Sequence, residues 1–335
     1  MISDAVSAAP APRLSASVVT FDNASCLPEF LDDLRRQSGV AWEAHFLDNG
    51  SRDATLALLR AAALGSLEPS AENLGYGGGH NRNLSHCRGE YVLLLNADLR
   101  LPAGLFAGLV AYLDARPDVA FATPRILEGD RHTPFPPRRF YPGEGMLPLL
   151  PGLRRRGIGW LSGCCLAARR AVLEALGGFD TAYFLYQAET DLCLRARRAG
   201  HGLGCADHLV THHLHRQSQR ALSPYEHALR IYEGSVVFWQ RHYPPHEVWR
   251  LVRFQLALCH LLLPIAHVPG LRRRGGRALD VERLRARRDI CRQWMSHQRT
   301  RPAAPPDAPR RSILARQLAI AFLWLTTRRF PLDDY

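Results

Sequence analysis

The stretch Tyr91-Val92-Leu93-Leu94-Leu95-Asn96-Ala97-Asp98 decides the fold: an apolar run that stops abruptly at an amide and an acid. It reads as a buried strand. A carboxylate at its end suits holding a divalent cation, because a strand is rigid and its carboxyl end opens onto a crevice. Upstream, Ser17-Val18-Val19-Thr20 and Ala44-His45-Phe46-Leu47 read as two more strands, the second closed by Asp48-Asn49-Gly50-Ser51. Helical stretches separate them at 27–37, at the Ala/Leu-rich 53–64, and at 79–87 after a Gly-rich turn. This β-α-β-α-β rhythm predicts a parallel sheet with right-handed crossovers. Ligands of such sheets sit at the strands' carboxyl ends, which is where Thr20-Phe21-Asp22, Asp48-Asn49 and Asn96-Ala97-Asp98 fall.

Composition narrows the setting. At 335 residues and 47% apolar, the chain can bury one large core or two modest ones. All 43 basic residues are Arg and the formal charge is +12. The Arg skew fits genomic base composition, but the positive excess suits nucleic acid, anionic lipid or phosphorylated substrates. The basic clusters lie in loops and beside apolar helices rather than interleaved with aromatics on one face, which argues against a nucleic-acid reader. Eight cysteines show no Cys-x-x-Cys spacing, and Cys164 and Cys165 are adjacent. That implies neither a disulfide framework nor a zinc knuckle, and it points to a reducing compartment. His208, His212, His213 and His215 lack the matched Cys or Glu spacing of a zinc site. Residues 1–13 carry Asp4 and no basic-then-apolar order, so they read as a disordered tail rather than a signal peptide.

Residues 126–159 are rich in Pro, Gly and Arg and read as a long mobile loop. Order returns at 160, with a strand over 161–167 and helices over 169–176 and 189–199, the last ending at Gly200 as an αL cap. Beyond 224 the character changes. Residues 251–268 are apolar but interrupted by Arg253, Gln255, His260 and Pro264, and a second apolar stretch covers 313–327 between Arg pairs. Neither reaches the roughly 20 uninterrupted apolar residues of a membrane span. Arg-flanked helices lying in a membrane interface are the sharper reading, and core or dimer helices the plainer one.

Two further segments bear chemistry. Glu72-Asn73-Leu74-Gly75-Tyr76-Gly77-Gly78-Gly79-His80-Asn81 lacks the Gly-Lys-Ser/Thr of a Walker loop, and its Gly-x-Gly-x-x-Gly spacing fails at His80. It nonetheless opens an expected helix, whose free amides and dipole suit an anionic diphosphate. The second segment, Gly177-Gly178-Phe179-Asp180 and then Tyr186-Gln187-Ala188-Glu189-Thr190-Asp191-Leu192-Cys193, offers a base that could face the same crevice as Asp98. Metal plus base is the minimum equipment for displacing a nucleoside diphosphate from a sugar.

The motifs Val18 to Asp22, Leu47 to Ser51, Asn73 to Tyr76, Leu94 to Asp98 and Gly177 to Asp180 occur in order. Asp191-Leu192-Cys193-Leu194-Arg195 and the segment from His212-His213 to Ser218 complete the series. It resembles the family-2 glycosyltransferases, most closely their rhamnosyltransferase-like branch, over roughly residues 14–220. The resemblance implies an α/β GT-A fold, with a mainly parallel central sheet flanked by helices and a helical C-terminal extension. It also implies a dTDP- or UDP-linked sugar donor, a divalent cation (Mg²⁺ or Mn²⁺), and inversion at the anomeric carbon. Thr20, Phe21, Asp22 and Asp48 then face the nucleotide, Asn73 and Gly75 line its pocket, and Asn96-Ala97-Asp98 takes the Asp-x-Asp-type position with Asp98 on the metal. His213, or its neighbour His212, matches a late histidine near metal and diphosphate.

One departure concerns the base. The branch reads Glu-Asp-x-Asp before Leu-Cys, whereas this chain has Ala188-Glu189-Thr190-Asp191. Glu189 therefore stands at the base position with its preceding partner gone, and Asp191 is the other candidate. The implied layout is a tail over 1–13, a catalytic domain over 14–223 and a basic helical extension over 224–335. Within that domain, 14–125 form the nucleotide-binding half, 126–159 the loop and 160–223 the acceptor half. The expected role is transfer of a sugar, such as rhamnose, to a surface or lipid-linked glycan, by a cytoplasmic enzyme peripheral at the inner face of the plasma membrane. The rival is a catalytically degenerate relative that binds nucleotide sugar or scaffolds a membrane complex. Oligomeric state is not legible.

Overall fold

The computed structural model describes residues 11–129, 131–144, 157–214, 222–267 and 280–298. Most of the expected tail, the middle of the expected loop, the 215–218 part of the late-histidine segment and the 313–327 stretch lie outside the described residues. The chain forms two compact units. The first takes residues up to Pro137 with Ile158–Phe184 and Ala188–Ala221; the second takes Arg138–Gly157, Leu185–Gln187 and the chain from Leu222 onward.

The first unit is a single nine-stranded sheet with helices. Its elements are β1 (Leu14–Thr20), α1 (Leu27–Arg35), β2 (Trp42–Asp48), α2 (Thr55–Ala62), β3 (Ser66–Pro69), α3 (Gly75–Leu84) and β4 (Tyr91–Asn96). These are followed by β5 (Leu99–Arg100), α4 (Leu105–Asp114), β6 (Val119–Glu128), β7 (Thr133–Phe135), β8 (Cys165–Arg169), α5 (Arg170–Ala175), α6 (Ala188–Arg198) and β9 (Gly202–His213). The strand order is β3-β2-β1-β4-β8-β6-β9-β5, with β7 beside β6. β3, β2, β1 and β4 run parallel, as the β-α-β rhythm requires. β8 joins antiparallel to both β4 and β6, β6 and β9 are parallel, and β5 and β7 close on antiparallel partners. The sheet is therefore mixed, with its parallel half on the nucleotide-expected side.

β4 is the centre of this core. Tyr91 to Leu95 are all essentially buried, which explains a strand without alternation: both faces are covered. On α1, Leu27, Phe30, Leu31 and Leu34 recur at helical spacing and are buried; Leu105, Phe106, Leu109, Val110 and Leu113 do the same on α4.

α3 departs most from its expected form. The Gly-rich segment is not a turn before a helix at 79; it is the helix, beginning at Gly75. A Cβ on Gly77 would lie 2.8 Å from Phe179 Cβ, and one on Gly79 would lie 2.8 Å from Val19 Cγ1. Glycine costs about 1 kcal/mol per helical position, yet here it lets the helix lie close against the sheet. Polar groups fix the contact: Asn83 Nδ2 donates to the carbonyls of Val18 (3.1 Å) and His45 (2.9 Å), and Ser17 Oγ meets buried His80 Nδ1 at 2.8 Å.

Among the described residues, the second unit carries three helices: α7 (Pro224–His242), α8 (Pro245–Ala266) and α9 (Val281–Gln298). Ser223 caps α7 with a reciprocal Glu226 capping box. Cys259, Leu262, Leu263 and Ala266 of α8 pack with Leu284 of α9, and Trp249 meets Trp294 edge-on at 5.0 Å. Among the described residues, α8 is the one helix long and apolar enough to cross a membrane by length and composition. All eight cysteines are free thiols.

Candidate active site

Register sets the strand ends side by side. Thr20 pairs with Asp48 and Val19 with Asn96, so β2, β1 and β4 release their loops at one level. The Thr20 hydroxyl is 3.2 Å from Asp48 Oδ1, while Asp48 Oδ2 accepts from the Ser51 amide at 3.2 Å. That holds a buried carboxylate in a fixed orientation. Phe21 N donates to Asn23 Oδ1 (2.8 Å). Asp22 sits in left-handed conformation (φ 51°), held by its own amide on Ser51 Oγ (3.0 Å) and its carboxylate on the Arg52 amide (2.7 Å). A non-glycine residue in that region is strained and persists only where its surroundings fix it.

Asn73 and Gly75 belong to a brace between this edge and α3. Asn49 Nδ2 donates to Asn73 Oδ1 (2.9 Å) and to the Gly75 carbonyl (3.1 Å). The amides of Leu74, Gly75 and Tyr76 donate to Asn49 Oδ1 (2.8 Å), Asn73 Oδ1 (2.9 Å) and the Phe184 carbonyl (2.8 Å). These three amides of the helix start therefore already have protein acceptors, which argues against the expected use of them to bind a diphosphate.

Asp98 and His213 meet. β5 pairs with the end of β9, Leu99 opposite His213, and the Leu214 amide donates to the Asp98 carbonyl at 2.9 Å. His213 Nε2 lies 3.2 Å from Asp98 Oδ1 and 3.4 Å from Asn96 Nδ2, and its Nδ1 lies 3.8 Å from Glu128 Oε1. Burial alone would pull the imidazole down; the Cys164 sulfur and the Asp98 and Glu128 carboxylates outweigh it and hold His213 well above the usual histidine range. His212 instead meets His132, Nδ1 to Nδ1 at 2.9 Å, so His213 is the candidate beside Asp98. Behind the pair, Arg100 Nε donates to buried Asp33 (2.8 Å), the Leu101 amide donates to the same carboxylate (2.9 Å), and Thr211 Oγ1 donates to the Arg100 carbonyl (2.8 Å).

A carboxylate oxygen and an imidazole nitrogen suit a divalent cation, which would displace the proton from Nε2, with the second ring nitrogen facing the Glu128 carboxylate that would orient the ring. Among the described residues no group of three or more His, Cys, Asp or Glu forms a complete cage. A two-residue set fits a cation that takes its remaining ligands from water and a diphosphate.

The segment before β8 links this pair to the other candidates. The Asn96 amide donates to the Cys164 carbonyl (2.9 Å), and the Tyr76 hydroxyl donates to the Gly163 carbonyl (2.7 Å). A methyl group on Gly163 would lie 2.6 Å from that hydroxyl and 3.3 Å from Glu189 Cβ. Glu189 occupies the first turn of α6; burial pushes its carboxyl up to about 7. Asp191, two residues on, is roughly 200° around the helix. It is buried, accepts from Arg195 Nε at 2.7 Å and lies 3.4 Å from the Tyr183 hydroxyl. Arg195 also donates to the carbonyls of Leu176 and Gly178, both at 2.8 Å. Asp191 thus anchors α6 to the Gly177-Gly178 turn through Arg195.

The model of the "Glycosyl transferase family 2" family matches residues 15–177. N-acetylglucosaminyl-diphospho-decaprenol L-rhamnosyltransferase of Mycobacterium tuberculosis is 30% identical over 223 residues, covering 56% of this chain and 71% of that protein. The chain belongs to glycosyl transferase family 2. It is a glycosyltransferase. A hexosyltransferase of low-salt glycan biosynthesis, Agl10 of Haloferax volcanii, is 29% identical over 145 residues, 40% of this chain and 47% of that protein. Among solved structures, GalNAc-T7 with UDP, GalNAc and Mn²⁺ superposes with a TM-score of 0.55 at 13% identity, covering 87% of this chain and 58% of that one. S. aureus TarS 1-349 with UDP-GlcNAc gives 0.51 at 17% identity, covering 75% and 71%. At such identities the likeness shows the GT-A fold alone.

The family match stops short of Glu189 and His213. Several supporting residues of this glycosyltransferase were not legible in sequence. Glu128 falls in the expected loop and is the last residue of β6, while Tyr76 reads as part of a flexible turn. Asp33 sits on a helix with no chemical motif, and only its contact across to β5 gives it a role.

Proposed function

We propose that this glycosyltransferase moves a sugar, with inversion, from a nucleoside-diphosphate donor to a hydroxyl of a lipid-linked or surface glycan. One observation carries the reading. Asp98 and His213, 3.2 Å apart, lie near Cys164, and Glu189, with its carboxyl near neutrality, packs at the adjoining Gly163. The rhamnosyltransferase relative supports rhamnose as the sugar and a prenyl-diphosphate-linked acceptor.

Thr20, Phe21, Asp22, Asp48, Asn73 and Gly75 bind the nucleotide edge of the donor in this reading, with Asn96 beside the diphosphate. Asp98 and His213 hold a divalent cation, Mg²⁺ or Mn²⁺, and Glu128 orients the histidine ring. When bound, the cation offsets the negative charge that grows on the departing diphosphate. Glu189 takes the proton of the acceptor hydroxyl as its oxygen attacks C1 and the bond to the diphosphate breaks. A carboxylate with a pKa near 7 is still ionised enough to accept a proton and basic enough to be useful. Asp191 holds α6, and through it Glu189, in place. Ala188, where the branch has an acid, favours a degenerate scaffold instead. The neutral-range Glu189 favours catalysis.

A panel of dTDP-rhamnose and UDP-sugars, incubated with a short-chain prenyl-diphosphate N-acetylglucosamine and Mg²⁺ or Mn²⁺, tests the choice. Nucleoside diphosphate release coupled to acceptor glycosylation is expected with one donor. Tight donor binding without turnover for every donor would leave the scaffold reading standing.

A further inference from the structure

We propose that Asp33 is a positioning residue for the cation pair: by gripping the chain just after Asp98, it fixes where Asp98 stands against His213. The inference rests on the reading of Asp98 and His213 as the residues that hold the cation. β5 follows Asp98 directly, is two residues long and pairs with β9 at the end of the sheet. Strands ordinarily run to five or six residues, so this one has too few ladder bonds to hold its own place.

α1 supplies what β5 lacks. Its apolar side, Leu27, Phe30, Leu31 and Leu34, is locked into the core. Cys26, Glu29, Asp33 and Gln37, spaced i, i+3, i+7 and i+11, make a second stripe from its N-cap to just past its C-cap. Each member meets the chain between 97 and 106, in order. Cys26 Sγ lies 3.5 Å from the Ala97 carbonyl oxygen, and Glu29 accepts from Arg100 Nη1. Asp33 Oδ2 accepts from Arg100 Nε at 2.8 Å and from the Leu101 amide at 2.9 Å. Gln37 Nε2 donates to the Pro102 carbonyl at 2.9 Å, and its Oε1 accepts from the Phe106 amide at 3.3 Å. Asp33 is the member that decides the seat. It is buried, and it holds the Arg100 side chain and the backbone leaving β5 at once, with Arg36 on its other oxygen. On the far side, Thr211 Oγ1 donates to the Arg100 carbonyl at 2.8 Å and the Leu214 amide to the Asp98 carbonyl at 2.9 Å. β5 is thus clamped between α1 and β9, with Asp98 just before it and His213 opposite Leu99. Metal–ligand distances tolerate only about ±0.2 Å, so a loosened β5 costs cation affinity even with both ligands intact.

The test is titration of the full chain with Mn²⁺ in saturating dTDP, read by the electron paramagnetic resonance of free Mn²⁺. Thymidine affinity and deuterium exchange at the Leu214 amide are measured beside it. The variants are Asp33→Asn and the double variant Asp33→Asn with Arg100→Gln, which removes both charges and leaves no guanidinium without its carboxylate. Both are expected to weaken Mn²⁺ about tenfold, to speed exchange at Leu214, and to leave thymidine within about twofold of wild type. Unchanged Mn²⁺ affinity in Asp33→Asn overturns the proposal. So does wild-type affinity in the double variant, because Asp33 would then act through its charge and not through the seat of β5. A parallel loss of thymidine binding overturns it too, since that reports general damage to the sheet. A wild type that takes up no Mn²⁺ contradicts the cation reading instead; unaltered exchange at Leu214 in the variants then overturns the proposal, and faster exchange supports it.

Discussion

At the scale of single residues, Glu189, the base of the proposed mechanism, carries a cost. Its carboxyl is raised from 4.5 to about 7 by burial, so the folded state disfavours the ionised form that catalysis needs. As a base it must be ionised, and turnover should rise with pH through about 7 and then level. Glu189→Gln should lower kcat by about 10²–10⁴ with donor affinity nearly unchanged, because the amide keeps shape and loses basicity. The same substitution should stabilise the fold. An acid with a raised pKa destabilises the native state progressively as pH climbs from the unfolded value near 4.5 to about 7, then by a constant amount. Thermal melts should therefore show Glu189→Gln above wild type at pH 8, by an amount on the order of 1–3 kcal/mol, and the difference should vanish near pH 4. A wild type as stable as the variant at pH 8 would mean that the carboxylate is solvated. The motif at 188–191 offered two acids, and the choice was not legible from spacing alone. What separates them is Arg195, one turn beyond Asp191 and readable as an i,i+4 partner, and its bonds to the carbonyls of Leu176 and Gly178, which only the fold brings near.

At the scale of elements, α6 and β9 position the site, and they were read unequally. α6 was expected over 189–199 and runs Ala188–Arg198. β9 was missed altogether, although twelve residues long. Its sequence, Gly-Leu-Gly-Cys-Ala-Asp-His-Leu-Val-Thr-His-His, has no clean alternation and opens on glycines. The strand exists because β6 pairs with it over the register from Val119–Gly202 to Glu128–His213, with irregularities absorbed on the way. Long-range pairing of that kind leaves no local trace. α3 failed for the opposite reason: its glycines argue for a turn, and tertiary contact with Phe179 and Val19 overrides them. The anchoring of α6 gives a prediction at this scale. Asp191→Asn leaves a half-buried Arg195 without its carboxylate and should cost about 1–3 kcal/mol, seen as a lower denaturation midpoint. If Asp191→Asn folds with unchanged stability and only turnover falls, Asp191 is the base.

Across the whole molecule, the parallel β2-β1-β4 core is legible in the sequence because each of these strands ends in a polar punctuation, and its ends supply the nucleotide-side candidates, whereas the short, part-exposed β3 beside it is not. The mixed half, and with it Glu128 and the seating of His213, depends on strands that local patterning does not mark. Stability of the sheet unit should depend on acid. Burial alone would raise Glu43, but hydrogen bonds from Arg88, Ser15 and His45 outweigh it and lower its carboxyl from 4.5 to about 2. Ser15 Oγ and the Arg88 amide donate to Oε1 at 2.7 and 2.8 Å, and Arg88 Nη2 to Oε2 at 2.6 Å. A depressed acid contributes stability that is present above the unfolded value and is lost as pH falls from about 4.5 through 2. Glu43→Gln should lower stability at pH 7 by about 1–3 kcal/mol and should not differ from wild type near pH 2. Equal acid sensitivity of the two proteins from pH 4.5 to pH 2 would contradict this. The central claim is that Asp98 and His213 hold the cation that receives the donor's diphosphate. Its most direct test is the affinity for dTDP-rhamnose and for thymidine, each measured in Mn²⁺ and in EDTA, with wild type and Asp98→Asn. The account predicts that EDTA and Asp98→Asn each weaken the nucleotide sugar strongly and leave thymidine nearly unchanged. Equal nucleotide-sugar affinity in Mn²⁺ and EDTA, with Asp98→Asn binding like wild type, would contradict it.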